Sequence, residues 1–530
     1  MAASLTSQFA STYLKLLQGQ PRDTISPKES RDDFYAKLLS LTVDRVVLEA
    51  GVTRVTKEAC LTQLKPFFNE LFASCLKWAR EGSHEDPRKT NALQTLLIVI
   101  RCVLAKNPTG WEVLEVFGGG VKGDAVFMDF VTCLHDLMST KDIPPAIRHQ
   151  ALQVALTFMC DISQLSPGAY FLRIDLFPAI TTIITSPETE QFTFEAALLL
   201  AILANYHKSD AATLNPYNQS IKNTNDRKLM EKICWASNFA LNTAIKAYQA
   251  IADDDTTAGL TNSLGSLLTS WSPNRAFASK QVDAPRELFK DQPIEGSVIS
   301  LPVYEFLRQN PLFLDVLLKD IRPEEGEKAS PSSPLLLTTL SFASYVLTHA
   351  TSIATLRSLG YANLVMNVLL NIAENDKAVK ALCEPSSMTT LSFLHLALWS
   401  SERFLPTPEA LHVFIYELVR SADSLKKQAL LLKDLALPPS SSSRRRSLNT
   451  ELTAAEKLAR ILNCVEFYAT KISEGRGRSA NQAMRIVARE VDADGLQGVG
   501  DGAELEPPRR SEDVLGFARI ACIDGTVLMS

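Results

Sequence analysis

The chain has 530 residues, 46% of them hydrophobic and 21% charged, a balance that excludes a disordered or collagen-like polymer and permits a large buried core. Its 59 acidic and 54 basic side chains leave a formal net charge of −5 and a pI near 5.9. That composition offers no basic excess to neutralise phosphates, so nucleic acid is not expected as a partner.

The nine cysteines, at positions 60, 75, 102, 133, 160, 234, 383, 464 and 522, include no CxxC pair. They read as reduced thiols inside helices of a cytosolic protein rather than as a disulfide or zinc framework. The first 20 residues lack a basic segment followed by an apolar block, so no secretory or transit peptide is expected. Neither Ala2 nor the terminal Val-Leu-Met-Ser carries a lipidation signal.

Apolar residues recur at helical spacing almost throughout, which predicts an all-α protein. N-terminal helices are expected over 1–55. Helical repeats follow over 56–252, with segments at Thr56 to Gly82, Asn91 to Lys106, Asp124 to Thr140, Pro144 to Ser163, Tyr170 to Thr185, Thr189 to His207 and Asp226 to Ile251. In the second of these, Leu93, Leu96, Leu97, Ile100 and Leu104 fall on one stripe, and Arg101 marks a solvated edge. Short Pro, Gly or Ser connections and the absence of an ankyrin or tetratricopeptide consensus predict an armadillo/HEAT-like α-solenoid of stacked antiparallel helices.

The polar stretch 253–297 reads as a long central linker. Further repeats are expected over 298–384, with helices at Val303 to Ile321, Leu335 to Leu359 and Tyr361 to Leu382. A C-terminal helical unit spans 385–473 and contains Met388 to Ser401, Thr407 to Leu435 and Glu451 to Ser473, interrupted by a disordered insert at 438–450. The tail 474–530 has one amphipathic stretch, Ala480 to Val491, and is expected to be mobile.

Catalytic chemistry is sparse. Gly118 to Gly123, Gly-Gly-Gly-Val-Lys-Gly, satisfies G-x-G-x-x-G, but no strand precedes it, and a turn between helices is the expectation. His135-Asp136, with His84 and Asp161, could nominally supply the ligands of a helical metal-dependent phosphohydrolase, the enzyme alternative. A surface His-Asp pair is the simpler reading, so no catalytic or metal-binding residue and no cofactor are assigned. Asn218-Gln219-Ser220 matches a glycosylation acceptor that the cytosolic reading leaves without meaning.

Two uncharged stretches, Ala329 to Leu356 (with a candidate span at 334–356) and 385–401, have the length or composition to be tested as single membrane spans. Ten Ser/Thr residues between Ser330 and Ser352 dilute the first, and the second is too short, so buried solenoid helices are expected. Within the linker, Leu260, Leu264, Leu267, Leu268 and Trp271 line one face of a helix over 260–271 whose other face is Thr, Asn and Ser. Such a helix would adsorb to loosely packed lipid by hydrophobic insertion, or else dock back on the solenoid. Ser447, behind Arg444-Arg445-Arg446, is a candidate for a basophilic kinase.

Several of these segments resemble the armadillo-like helical domain-containing protein 3 family. Asn91 to Asn107 is similar to the family's first helix pair. Phe194 to Ser220 resembles its signature Asn205-Tyr206 and Asn215-Pro216-Tyr217, and Leu260 to Trp271 its linker helix. Phe404-Leu405-Pro406-Thr407-Pro408 resembles the start of its C-terminal unit. The likeness runs over Lys57 to Lys471 in the family's order. It departs between Leu382 and Met388, where the family carries a further helical block, and after Glu474. The resemblance implies a non-enzymatic cytosolic scaffold peripherally associated with the Golgi membrane, where it supports Golgi organisation and secretion. It also implies an Arf guanine-nucleotide exchange factor as partner and, in animal members, a phosphatidylinositol 4-kinase. A generic soluble helical-repeat scaffold of another cytosolic complex is the alternative that the residues leave open.

Overall fold

The structure is a computed structural model and describes residues 2–120, 123–162, 165–206, 214–251, 286–319, 334–353, 355–375, 377–378, 454–475, 480–494 and 510–529, with isolated positions 419, 422 and 426. Among the described residues there is no β-strand, and the helices stack on one another as an all-α, solenoid-like fold. The chain divides into two compact units: Met1–Asp253 with Ala284–Asn371 and Arg510–Ser530, and Asp254–Asp283 with Ile372–Arg509.

The first unit begins with α1 (Ala2–Leu17), α2 (Arg22–Ile25), α3 (Arg31–Ser40), α4 (Arg45–Arg54), α5 (Lys57–Leu61), α6 (Lys65–Glu81) and α7 (Pro87–Leu104). It continues with α8 (Gly110–Gly118), α9 (Gly123–Ser139), α10 (Pro145–Asp161), α11 (Leu165–Gly168), α12 (Tyr170–Arg173), α13 (Phe177–Thr185), α14 (Thr193–Ala204), α15 (Pro216–Asn223) and α16 (Arg227–Ile251). Beyond the linker come α17 (Ser300–Gln309), α18 (Pro311–Lys319), α19 (Leu335–Ile353) and α20 (Leu356–Ala373).

Local chemistry sets many of these boundaries. Ser30, Asp44, Thr56 and Asp86 accept a first-turn amide, and Thr109 forms a reciprocal capping box with Glu112. Prolines 66, 87, 145, 178 and 216 sit in first turns, where no intrahelical donor is missed. Segments that the periodicity runs together break just before Pro66, Pro178 and Pro311. Thr56 to Gly82 divides into α5 and α6, Tyr170 to Thr185 into α12 and α13, and Val303 to Ile321 into α17 and α18.

The core is continuous because each helix offers a face to the next: α7 packs on α6 and α10, α10 on α9 and α14, and α14 on α13 and α16. Aromatic rings tie α6, α9, α10 and α12 together. Phe130 lies 5.4 Å from both Phe72 and Phe158, and Phe158 lies 5.5 Å from Phe171. Against expectation, α7 is not a one-striped helix: α3, α4, α6 and α10 surround it, and Lys89, Asn91 and Thr95 are buried with its aliphatic residues.

Two further expectations are corrected. The linker expected over 253–297 ends earlier, because Arg286–Phe289 and Glu295–Ile299 form 3-10 turns that bury Phe289, Val298 and Ile299. Within the tail expected to be mobile, Arg510–Met529 is a helix, α23, that packs on α10, α14 and the 295–299 turn and buries Phe517, Ala521 and Asp524. Its apolar residues find a prepared seam in the distant N-terminal array.

In the second unit, α21 (Ala454–Glu474) packs on α22 (Ala480–Asp494) around Cys464, Tyr468 and Val487, with Val419, Phe467 and Ile472 against them. A Lys426–Glu466 pair at 2.9 Å lies on its exposed side.

Candidate functional site

Asn205, Tyr206, Asn215, Pro216 and Tyr217, five of the residues singled out in the sequence, lie at one corner of the helical array. Asn215 caps α15 by accepting the Tyr217 amide, and its side-chain amide donates to the carbonyls of Leu203 and Ala204 at 2.8 and 3.2 Å. One residue thus satisfies the start of α15 and the end of α14, and Pro216 supplies the fixed first turn. The Tyr217 hydroxyl donates to the Phe171 carbonyl at 2.6 Å and accepts the Leu176 amide, holding the α12–α13 connection. Burial raises this phenol well above its ordinary range. Tyr206, also pushed up by burial, lies against Gly168 of α11.

Asn205 donates to the Ala201 carbonyl and to Glu305 Oε1, each at 2.9 Å, reaching from α14 to α17. The other Glu305 oxygen accepts from Arg308 and Gln309 at 2.7 and 2.6 Å, and Gln309 also donates to Asn218 Oδ1. Asn218, in the nominal glycosylation acceptor, is therefore buried in this network. A second Asn-Pro corner repeats the device: Asn310 accepts the Leu312 amide and donates to the Ile221 and Thr224 carbonyls, both at 2.8 Å. The chemistry of these residues is largely helix-end satisfaction, with Asn215 and Tyr217 bonded to backbone groups and Asn205 bridging the Ala201 carbonyl and the Glu305 carboxylate.

The nominal metal set does not assemble. His135 Nδ1 faces its own neighbour Asp136 at 3.0 Å, and His84 is exposed. Asp161 accepts from Thr526 Oγ1 of α23 at 2.7 Å, and burial raises its carboxyl above the ordinary range while that hydrogen bond moderates the rise. Among the described residues no three His, Cys, Asp or Glu are placed to share a metal ion. The glycine run is the expected helix-to-helix turn: Gly119 closes α8 at φ +71° and Gly120 follows at +75°, a region open to glycine. Asn69 donates to the Glu115 and Val116 carbonyls at that end.

A polar clasp that the sequence reading missed secures α23. Asp524, 2% exposed, accepts from Arg357 Nε and Nη2 at 2.8 and 2.9 Å and from the Tyr361 hydroxyl. Arg101, expected on a solvated edge, is instead mostly covered, pairs with Glu49 at 3.1 Å and donates to the Met529 carbonyl at 3.2 Å. The available signal was a lone acid inside the apolar run Ile520 to Met529.

The exposed chemistry lies elsewhere. On α16, Trp235 and Phe239 are 57% and 72% exposed, one helical turn apart, while Ile233, Ala236, Ala240 and Leu241 of the same helix are buried. Lys232 Nζ sits 5.9 Å from the Trp235 ring centre and pairs with Glu190 at 2.6 Å. Large exposed aromatic rings are enriched at protein interfaces relative to the rest of a protein's surface.

The candidate lipid-binding residues Leu260, Leu264, Leu267, Leu268 and Trp271, the motif Phe404 to Pro408, the stretch 385–401 and Ser447 lie outside the described residues. The helix Leu335–Ile353 covers most of the other stretch weighed as a span, and its Thr338 side chain is buried against the Pro334 carbonyl. No helix among the described residues is long and apolar enough to cross a membrane. No family model, curated protein or solved structure matches the chain.

Proposed function

We propose that the chain is a non-enzymatic armadillo-like helical adaptor. In this reading it binds an Arf guanine-nucleotide exchange factor at the Golgi membrane and supports Golgi organisation and secretion, with a phosphatidylinositol 4-kinase the further partner that animal members of the resembled family imply. The observation that carries the reading is the α16 face, where Trp235 and Phe239 stay in water on an otherwise well-packed helix. A stacked array presents such a face on a rigid support, so a partner can dock without paying to order it.

The signature residues Asn205, Tyr206, Asn215, Pro216 and Tyr217 support the reading in a different way, as the corner that sets α14, α15 and α17 against one another. Their role in the adaptor is to position its surface. Attachment to the membrane would be peripheral, through the partner or the 260–271 segment.

The test is affinity purification of the full chain from cells, followed by identification of the captured proteins and fractionation of membranes. The reading expects an Arf exchange factor with the wild type and its loss with Trp235→Ser/Phe239→Ser. Capture of an unrelated complex would select the generic helical-repeat scaffold, and retention of the exchange factor by the double variant would remove α16 as its docking face.

A further inference from the structure

The seam between α10 and α23 brings two thiols together from opposite parts of the chain. Cys160 lies at the end of α10 and Cys522 in the middle of α23. Cys522 Sγ lies 3.8 Å from the carbonyl oxygen of Met159, the residue before Cys160, and the two thiols interact electrostatically. One turn farther along α23, a Cβ added to Gly525 would stand 2.7 Å from Cys160 Sγ. The helices therefore approach closely at this point, as a disulfide between them requires.

Access differs between the two. Among the eight described cysteines, seven are buried and Cys522 alone is partly exposed. An oxidant in solution reaches Cys522 first, and the sulfur waiting behind it is Cys160.

We propose that Cys160 and Cys522 are a reversible oxidation site whose disulfide staples the C-terminal helix to the solenoid. With hydrogen peroxide as the oxidant, the Cys522 thiolate attacks one peroxide oxygen, the O–O bond breaks, and Cys522 sulfenic acid and hydroxide form. The Cys160 sulfur then attacks the sulfenic sulfur, the S–O bond breaks, and hydroxide leaves as the S–S bond forms. The two thiols together lose two electrons and two protons, and peroxide is reduced to two waters. The neighbouring Cys522 thiol and burial both hold the Cys160 thiol well above its ordinary range, so Cys160 is not the sulfur that attacks peroxide first. Reduction by a dithiol reverses the staple and leaves α23 held by its apolar packing and its polar clasp.

The experiment treats the native full-length protein with hydrogen peroxide, blocks free thiols, digests without reduction and identifies linked peptides by mass spectrometry. The expected result is a Cys160–Cys522 linked peptide pair that disappears on dithiothreitol treatment and is absent from Cys522→Ser. Hydrogen exchange across 510–529 should slow in the oxidised wild type and stay unchanged by peroxide in that variant. Because Cys522 is partly exposed, its serine variant is expected to keep the fold, and circular dichroism verifies this. If Cys522→Ser does not fold, the linked-peptide result in the wild type decides alone. Oxidation of Cys522 without linkage, its linkage to any other cysteine or to a second chain, or formation of the 160–522 bond only after denaturation would each overturn the proposal.

Discussion

Replacing Asp524 with Ala removes the acceptor that Arg357 and Tyr361 share, and the consequence follows from their burial. Tyr361 is fully buried and its hydroxyl would lose its partner, while Arg357 keeps about a quarter of its side chain in water. Removing one member of a buried ion pair typically costs about 3–5 kcal/mol, because the other charge is left desolvated. Partial exposure of Arg357 argues for the low end, about 3 kcal/mol. With ~1.4 kcal/mol per decade, the docked-to-undocked ratio of α23 falls about a hundredfold.

Native-state hydrogen exchange reads that ratio directly, since α23 can open as a unit smaller than the whole fold. Amides over 517–529 should exchange about a hundredfold faster in Asp524→Ala. Arg357→Met should be at least as damaging, for it strands a nearly fully buried carboxylate. The triple variant Asp524→Leu/Arg357→Met/Tyr361→Phe replaces every member of the clasp with an apolar partner and should recover much of the loss, a result that steric damage would not give. Unchanged exchange over 517–529 in Asp524→Ala would refute the argument that this ion pair holds the helix.

Asn215→Ala removes the cap of α15 and strands the Leu203 and Ala204 carbonyls, so denaturant titration should show a loss of about 2–4 kcal/mol. Gly525→Leu would drive a side chain into Cys160, and thermal unfolding should report about 1–3 kcal/mol of destabilisation. His349, stacked on Phe289 at 4.0 Å, is depressed below its ordinary 6.5 by burial. The unfolded chain therefore binds its proton first: stability is full above about pH 6.5 and falls as pH drops from there towards the folded-state value, a slope that His349→Phe should remove. Phe239→Ser, on a side chain 72% exposed, should change stability by no more than about 0.5 kcal/mol while weakening partner capture.

What was legible in the sequence was whatever repeats locally. The apolar spacing of α9, α10 and α16 states a helix without reference to any partner. The interruptions before Pro66, Pro178 and Pro311 were less visible, because a proline is compatible with a first turn and does not by itself say that one helix has ended. Arg101 and the tail were misread for a single reason. A cation in an apolar run implies solvent unless something covers it, and what covers it is α23, more than four hundred residues later. In the same way Asp524 looks like a polar interruption of a weak helix until Arg357 and Tyr361 are placed beside it. The α16 rings escaped notice because Trp235 and Phe239 are indistinguishable by type from core residues, and only the packing shows which face is left in water.

The placement of α23 bears on how the first unit holds its form. A linear stack of helix pairs is stabilised by nearest neighbours, and its members can fray from either end. Here a segment from the far end of the chain lies along α10 and α14, touches the end of α7 through Arg101 and Met529, and is pinned to α20 by Asp524. Early, middle and late helices therefore share one element, and loosening α23 withdraws support from all of them together. Signature residues such as Asn205, which joins α14 to α17, fix the corners between neighbours; α23 couples across them. On that argument, changes that release α23 should reach α16 through α14 and the 295–299 turn, which among the described residues are packed against both. The exposed Trp235–Phe239 face would then respond to the clasp through defined neighbours, which makes exchange in α14 the place to observe the connection.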